Sequence, residues 1–287
     1  MRFRFIHEHL KDYSVRLMCR VLGVSPSGYY AWCSRPESTR SREDRRLLAK
    51  IRAFHEQSRG SYGSARIHAD LQEDGEGCGR HRVARLMRQD GLAGKKARQF
   101  RTTTDSRHSD PVAPNLLDQE FSVETPNTVW AGDITYLRTR EGWLYLAVLL
   151  DLCSRFVVGW SLSSSLDREL SLEALEQAVA RRRPGPGLLH HTDRGSQYTC
   201  GEYRDRLDEL GLTVSMSGKG NCYDNAVVES FFDSLKTELD QQVFASREHA
   251  RRAVFDYIEV FYNRRRRHST LGNVSPAAYE QRLGEVA

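Results

Sequence analysis

The sequence predicts an α/β protein in which a mixed five-stranded sheet with helices on its faces follows small all-helical units. Two observations carry that prediction. The first hundred residues show helical periodicity and helix caps, and the texture changes to strand formers after residue 125. Beyond that point the patterns fall in the order β-β-β-α-β-α-β-α, which is not a simple βαβ repeat.

Residues 14–32, SVRLMCRVLGVSPSGYYAW, read as a helix with Leu17, Val21 and Leu22 on one face, then a turn at Gly23. A second helix follows, capped by Ser25, with Pro26 at its first position. This is a helix-turn-helix pattern, and a plain helical hairpin is the other reading. Residues 1–34 thus form a helix-turn-helix-like segment, and the polar run RPESTRSREDR (35–45) reads as a linker. A second helical unit, expected to bind DNA, spans 43–94. In it RRLLAKIRAFHEQ carries Leu48, Ile51 and Phe54 at helical spacing, and ARIHADLQED and HRVARLMRQDGL follow glycine-containing breaks. Arg80, Arg82, Arg85 and Arg88 crowd its last helix, as on a helix that faces phosphates. Residues 95–122 are basic, then polar and Pro-containing, and read as an interdomain linker.

Within 123–245, NTVWAGDITYLRT, GWLYLAVLLDLCS and RFVVGWSLSS are strand patterns whose short links require antiparallel neighbours. LDRELSLEALEQAVARRR is an amphipathic helix closed by PGPG, and GLLHHTDRGSQY is a short buried strand running out at Asp193. TCGEYRDRLDELG is a helix and LTVSMS a fifth strand. From Asn225 to about Arg266 the chain is helical, with a break near Ala245–Ser246, and residues 246–287 form a basic helical segment. This order matches the ribonuclease H-like fold, where three antiparallel strands are extended by two parallel ones.

The net charge of +5 hides an asymmetry. Residues 1–100 carry 21 Lys/Arg against 11 Asp/Glu, residues 121–245 carry 12 against 18, and residues 246–287 carry 8 against 5. Basic ends suit a polyanion such as DNA, although solvated helix faces would give the same count. An acidic middle is unhelpful to DNA unless cations neutralise it, a first hint of bound metal. No run of 18 apolar residues exists, and the start MRFRFIHEHLKDYS lacks a secretory signal, so the expected address is the cytoplasm or nucleoid. The six cysteines are scattered singly with no zinc-type spacing. Two adjacent strand histidines, His190 and His191, face opposite sides, which favours packing or hydrogen bonding over metal ligation.

Cutting and rejoining a phosphodiester is an in-line displacement that a pair of divalent ions can assist, held by carboxylates from different elements. Asp133 lies within the first strand, Asp193 at the end of the fourth, and Glu229 on the helix DNAVVESFFDSLKTEL beside an apolar stripe. Each alone has a bland reading as a strand, turn or surface residue. The strand order changes this, since the first and fourth strands become neighbours and the last helix can reach them. Lys236 falls seven residues after Glu229 on the same helix face, where a cation could hold phosphate. Asp151 is expected in a structural turn, and Asp224 as the N-terminal cap of the Glu229 helix. Arg264, Arg265, Arg266 and Arg267 read as a DNA-backbone contact, or as a solvated helix end.

The segments WAGDITY, LDLCSRFVVGW, HTDRGSQY and KGNCYDNAVVESFFDSLKTE closely resemble bacterial insertion-sequence transposases with a retroviral-integrase-type core. The spacing of 35 residues between Asp193 and Glu229 is typical of that group. The best match is the second-frame protein of the insertion sequence three family, and Ser61-Tyr62-Gly63 and YNRRRRHSTLGNVSPAAYE extend the resemblance over nearly the whole chain. The resemblance implies that Asp133, Asp193 and Glu229 bind two Mg2+ ions, with Mn2+ as a substitute, and that Lys236 contacts DNA. It further implies an enzyme that nicks one strand at an element end and joins it to the other end, giving a circle that integrates elsewhere. The implied partners are double-stranded DNA (inverted-repeat ends and target) and further copies of the chain on paired ends. Frameshift synthesis in this family would make MRFRFIHEHL a frame junction, with an upstream helix-turn-helix protein fused or assisting. The His-His-Cys-Cys zinc module of retroviral integrases is missing from this sequence. The alternatives are a plain nuclease of ribonuclease H type and a non-catalytic DNA-binding regulator.

Overall fold

The computed structural model describes residues 1–95, 112–218, 222–240 and 243–286. Most of the 95–122 linker, and Lys219, Gly220 and Asn221 of the KGNCYDN motif, lie outside the described residues. The chain divides into two compact units, Met1–Ala53 and Phe54–Ala287. Among the described residues no helix is long and apolar enough to cross a membrane.

The first unit holds α1 (Arg2–Glu8), α2 (Val15–Val21) and α3 (Pro26–Ser34). Ser14 and Ser25 cap α2 and α3 by accepting from Leu17 N (3.4 Å) and Gly28 N (3.0 Å), and Gly23 makes the turn at φ 63°. The core-facing side of α2 differs from the expected one. Met18 and Cys19 are buried with Ile6 and Tyr29, whereas Leu17 and Val21 are exposed. A seven-residue helix is too short for periodicity to choose between two candidate apolar faces. The linker reading of 35–45 is also revised, because α4 (Thr39–Gln57) begins inside it. Ser38 accepts from Ser41 N at 3.1 Å as a cap, and Glu37 pairs with Arg45 at 2.7 Å. Arginine and glutamate are good helix formers, so a polar helix looked like a loop.

In the second unit, α5 (Ser64–Glu73) and α6 (Arg80–Gln89) bury Ile67 and Leu71, and Val83, Leu86 and Met87. The sheet, among the described residues, has five strands: β1 (Val129–Thr139), β2 (Gly142–Asp151), β3 (Val157–Ser163), β4 (Leu189–Thr192) and β5 (Thr213–Met216). Their order is β3-β2-β1-β4-β5, antiparallel from β3 to β1 and parallel from β1 to β5. Helix α7 (Arg168–Arg182) makes the crossover and lies directly on β3. A Cβ on Gly159 would come within 2.8 Å of the Ala178 Cβ, so only glycine permits this approach. Short α8 (Ser196–Thr199) and α9 (Gly201–Glu209) link β4 to β5. The core between sheet and helices is built on Trp130, Leu149, Val158, Leu175, Tyr203 and Leu207.

Both histidines of β4 are buried and hydrogen-bonded on opposite faces. His190 meets the Tyr203 hydroxyl at 3.0 Å, and His191 meets the hydroxyls of Ser215 (2.9 Å) and Ser217 (3.2 Å). Burial lowers their pKa values to about 3 and about 4, so both rings stay neutral.

After β5 come α10 (Ala226–Leu239) and α11 (Arg247–Phe255), the latter running into a π-helical stretch, Asp256–Tyr262. A closing helix, α12, spans Pro276–Val286. This C-terminal segment covers the edge strand β3. The Asn263 side chain bonds both the N–H (2.9 Å) and the carbonyl (3.1 Å) of Val157, as a neighbouring strand would. Arg251 donates to the Leu162 carbonyl at 2.7 Å. Polar groups of an otherwise open edge are thereby satisfied.

Candidate active site

The register of two parallel strands builds the site. Gly132 on β1 pairs with Thr192, the last residue of β4, so Asp133 on β1 and Asp193 just beyond β4 each follow one member of that pair. Gly132 has to be small here. A Cβ would meet the Leu149 Cδ2 at 2.7 Å and the Thr192 Cγ2 at 3.3 Å. Beyond β4 the chain turns sharply, with Asp193 Oδ1 accepting from Gly195 N at 3.0 Å. Asp133 Oδ1 accepts from Ile134 N at 2.7 Å.

Helix α10 supplies the third carboxylate. Its N-terminal residue Asn225 is buried and donates its side-chain amide to the Gly132 carbonyl at 3.1 Å, beside Asp133. Glu229 follows one turn later and Lys236 two turns after that. Electrostatics bring all four side chains into one field. Burial pushes the Asp133 carboxyl well above the usual range, and the charges of Asp193 and Glu229 add to it, while the Ile134 N–H and Lys236 oppose it. Burial and Asp233 raise Glu229. Burial lowers Lys236, against the pull of Asp233 and Asp133.

A half-buried carboxylate in the field of two others is unfavourable unless protons or cations neutralise it. The donor set is all oxygen, which suits magnesium, and manganese shares that preference. Among the described residues no three His, Cys, Asp or Glu side chains close around one point. A magnesium site needs fewer, because the ion keeps waters and takes one or two carboxylates together with substrate phosphates. The residues present therefore fit divalent ions.

Two further carboxylates have structural partners. Asp151 has the turn role expected of it: its side chain accepts from Asn127 N (2.6 Å), Cys153 N (3.0 Å) and Ser154 N (2.9 Å). Asp224 does not cap α10, contrary to expectation. A single 3-10 turn (Cys222–Asn225) puts Asn225 at the helix start, and Asp224 points back to gather other segments. It accepts from Gly218 N (2.7 Å), Asn115 Nδ2 (3.1 Å) and Gln119 Nε2 (3.0 Å). Asp233, four residues after Glu229 on the same helix, is its neighbour by spacing alone, whereas the part played by Asn225 is marked only by the fold.

The expected DNA cations separate into two groups. Arg80 and Arg88 are exposed on α6, Arg82 and Arg85 are half-buried, and Arg85 also bonds Gln89 at 3.1 Å. Arg264 and Arg265 are exposed. Arg266 and Arg267 correct the reading of the four arginines as an outward-facing patch. Arg266 is buried and forked onto Glu238 (2.8 Å), and Arg267 binds Asp70 (2.5 Å), Glu73 and the Asn273 carbonyl (2.6 Å). The four arginines lie beyond the π-helical stretch, in the turn and irregular chain that follow it, and their partners rather than a helix face divide them between interior and solvent.

An integrase core domain family matches residues 123–222, a second integrase core domain family residues 229–283, and an HTH-like domain family residues 41–100. The chain is 47% identical to an uncharacterized 31 kDa protein of insertion element IS600 from Shigella sonnei, covering 94% of this chain and 100% of that one. It is 45% identical to the transposase InsF of insertion sequence IS3A from Escherichia coli K12, covering 98% and 99%. Among solved structures, the HTLV-2 integrase catalytic core domain in complex with magnesium aligns at 18% identity and TM-score 0.41, over 53% of this chain and 95% of that one. With the integrase core match, the sheet order described above is the ribonuclease H-like integrase fold. Near-complete alignment to InsF at this identity means that the chain belongs to the transposases of IS3-type insertion sequences.

Proposed function

We propose that this chain nicks DNA at the ends of its insertion element and transfers the resulting strand to a new site, with Asp133, Asp193 and Glu229 holding two magnesium ions. The observation that carries the reading is the Gly132–Thr192 register, whose two members each precede an aspartate, combined with the Asn225 bond that brings Glu229 to them. A divalent-ion pair at such a site supplies Lewis-acid stabilisation of the attacking and leaving oxygens. The protein's part is to hold the three carboxylates against mutual repulsion, to lock α10 on β1, and to offer Lys236 to a phosphate. The exposed arginines of α6, with Arg264 and Arg265, would contact the duplex backbone, and paired ends would call for more than one copy of the chain. An upstream-frame protein would supply further end recognition.

The test offers purified protein a labelled element end with a recessed 3′-hydroxyl, target DNA and magnesium. Joined product is expected, with a loss of about 10²–10³-fold or more for Asp193→Asn, the scale of removing transition-state charge stabilisation. Hydrolysis with no joined product would instead indicate a ribonuclease H-type nuclease. Unchanged joining by the variant would sink the two-ion mechanism.

A further inference from the structure

A cavity of about 270 Å³ opens on a second face of α10, lined by Ser230 and Ser234 rather than by Glu229, Asp233 and Lys236. One residue advances about 100° around a helix, so Ser230 and Ser234 are turned well away from the carboxylate face. Three guanidinium groups converge on this cavity: Arg66 from α5, Arg155 from the β2–β3 turn, and Arg266. His268 completes its polar wall, and no carboxylate lines it.

Of these guanidiniums Arg266 is neutralised by Glu238, while Arg66 and Arg155 line the cavity without a salt bridge among the described residues. Glu238 is engaged by Arg266 and by the Tyr257 hydroxyl (2.9 Å), and Asp151 by the donors of its own turn. Arg66 lies over the Tyr62 ring at 5.3 Å and has no acidic partner among the described residues. Arg155 donates to the Phe121 carbonyl at 3.2 Å, yet its Nη1 is buried without a hydrogen-bond partner among the described residues. A buried donor left unmade is costly, and a buried guanidinium more so. Arg155 also adopts φ 60°, a left-handed conformation that glycine or asparagine would occupy more easily. Two independent penalties thus fall on one side chain that lines a cavity. Burial lowers the pKa of Arg66 and Arg155, and Arg66, Arg155 and Arg266, added to burial, hold His268 well below its ordinary value. A planar donor fork with hydroxyls nearby is what a phosphate oxygen pair requires.

We propose that this cavity is a second phosphate-binding site, which takes a backbone phosphate of the DNA strand engaged by Asp133, Asp193 and Glu229. The assignment to DNA rests on the function proposed above, and on the exposed rim residue Ser230 being the immediate neighbour of Glu229. A strand seated on the carboxylate face would pass this rim. Free inorganic phosphate or pyrophosphate shares the chemistry and is separated by experiment.

The test uses the full chain with a chelator present, so that binding is read without cleavage. Element-end duplexes carry one neutral methylphosphonate at successive positions and are bound by wild type, R66Q, R155Q, the double variant and S234A. One position is expected to weaken wild-type binding about tenfold or more, the scale of a charge-assisted hydrogen bond, and to cost nothing further in the double variant. Each arginine variant should lower the slope of log affinity against log salt by about 1. Equal penalties in wild type and variants, or unchanged salt slopes, would overturn the proposal. Thermal stabilisation of wild type by pyrophosphate, lost in the double variant while the methylphosphonate scan stays flat, would assign the cavity to free phosphate and also overturn it. If R155Q fails to fold, R66Q and S234A carry the comparison. A wild-type chain that binds no DNA overturns the proposed function too, whereas binding without the coupled position overturns this inference alone.

Discussion

The side-chain amide of Asn225 donates to the Gly132 carbonyl, and this bond joins the helix bearing Glu229 to the strand bearing Asp133. Asn225→Ala leaves that buried carbonyl without its side-chain donor. A stability loss of about 1–3 kcal/mol is expected from urea unfolding. Joining activity should fall further, by roughly 100-fold, because a small displacement of a catalytic group is enough to cost that much. A variant that loses stability but keeps its rate would show that α10 is positioned by other contacts.

The three carboxylates repel one another in the absence of cations. Asp133→Asn should therefore raise the melting temperature of the metal-free chain by a few degrees, the shift that about 1 kcal/mol produces at this size. Magnesium at a hundred times its dissociation constant should stabilise wild type by about 2.7 kcal/mol and the variant much less. Calorimetry with chelator and with magnesium checks both signs. A variant less stable than wild type without metal would mean that Asp133 is satisfied by the protein alone.

Arg266 and Glu238 form a buried pair with side chains 6% and 5% exposed. Glu238→Gln strands the guanidinium and is expected to cost about 3–5 kcal/mol. Arg266→Met in the same chain should recover much of that loss, since removing both charges leaves no orphan. Urea midpoints of the two single variants and the double variant form the cycle. Additive losses would mean that the two charges act independently.

His268 stays neutral in the folded protein, beneath Arg66, Arg155 and Arg266 and with its ring edge-on to Tyr262. Its folded pKa lies below the unfolded value, near 6.5, so above that pH neither state carries the proton. As pH falls below 6.5, the unfolded chain takes up a proton that the folded chain refuses, and stability drops by about 1.4 kcal/mol per pH unit. His190, lowered to about 3, adds a term of the same sign across the same window. His268→Gln should remove one of these slopes between roughly pH 6 and pH 4.5. Identical slopes in wild type and variant would show that the ring is protonated when folded.

The sheet was legible because alternation, short strand links and one long amphipathic helix leave few topologies open. Asp133 and Asp193 were legible once β1 and β4 were neighbours, because register then fixes which residues lie near one another. The arginine run 264–267 misled for a physical reason. Charge reads as surface in a sequence, while the partners that bury it, Glu238, Asp70 and Glu73, come from α10 and α5. Asp224 misled similarly, since an aspartate ahead of a helix usually caps it and here a 3-10 turn moves it one residue too early. Ser38 and the start of α4 lay hidden in a polar run, where helix and loop differ only by a cap.

The bond between Arg267 and Asp70 spans 197 residues, and the Tyr62 hydroxyl accepts from Arg267 N (2.6 Å) across a still longer interval. On the ribosome α5 emerges first and then waits for its partner. At about 5–20 residues per second, that wait is on the order of 10–40 s. During that time the nascent α5 lacks the clasp that its finished neighbourhood provides. A message cut before codon 267 would release a chain that lacks the Arg267 bonds to Asp70 and to the Tyr62 hydroxyl, so this fastening of α5 and the residue ahead of it is completed only when translation is nearly finished.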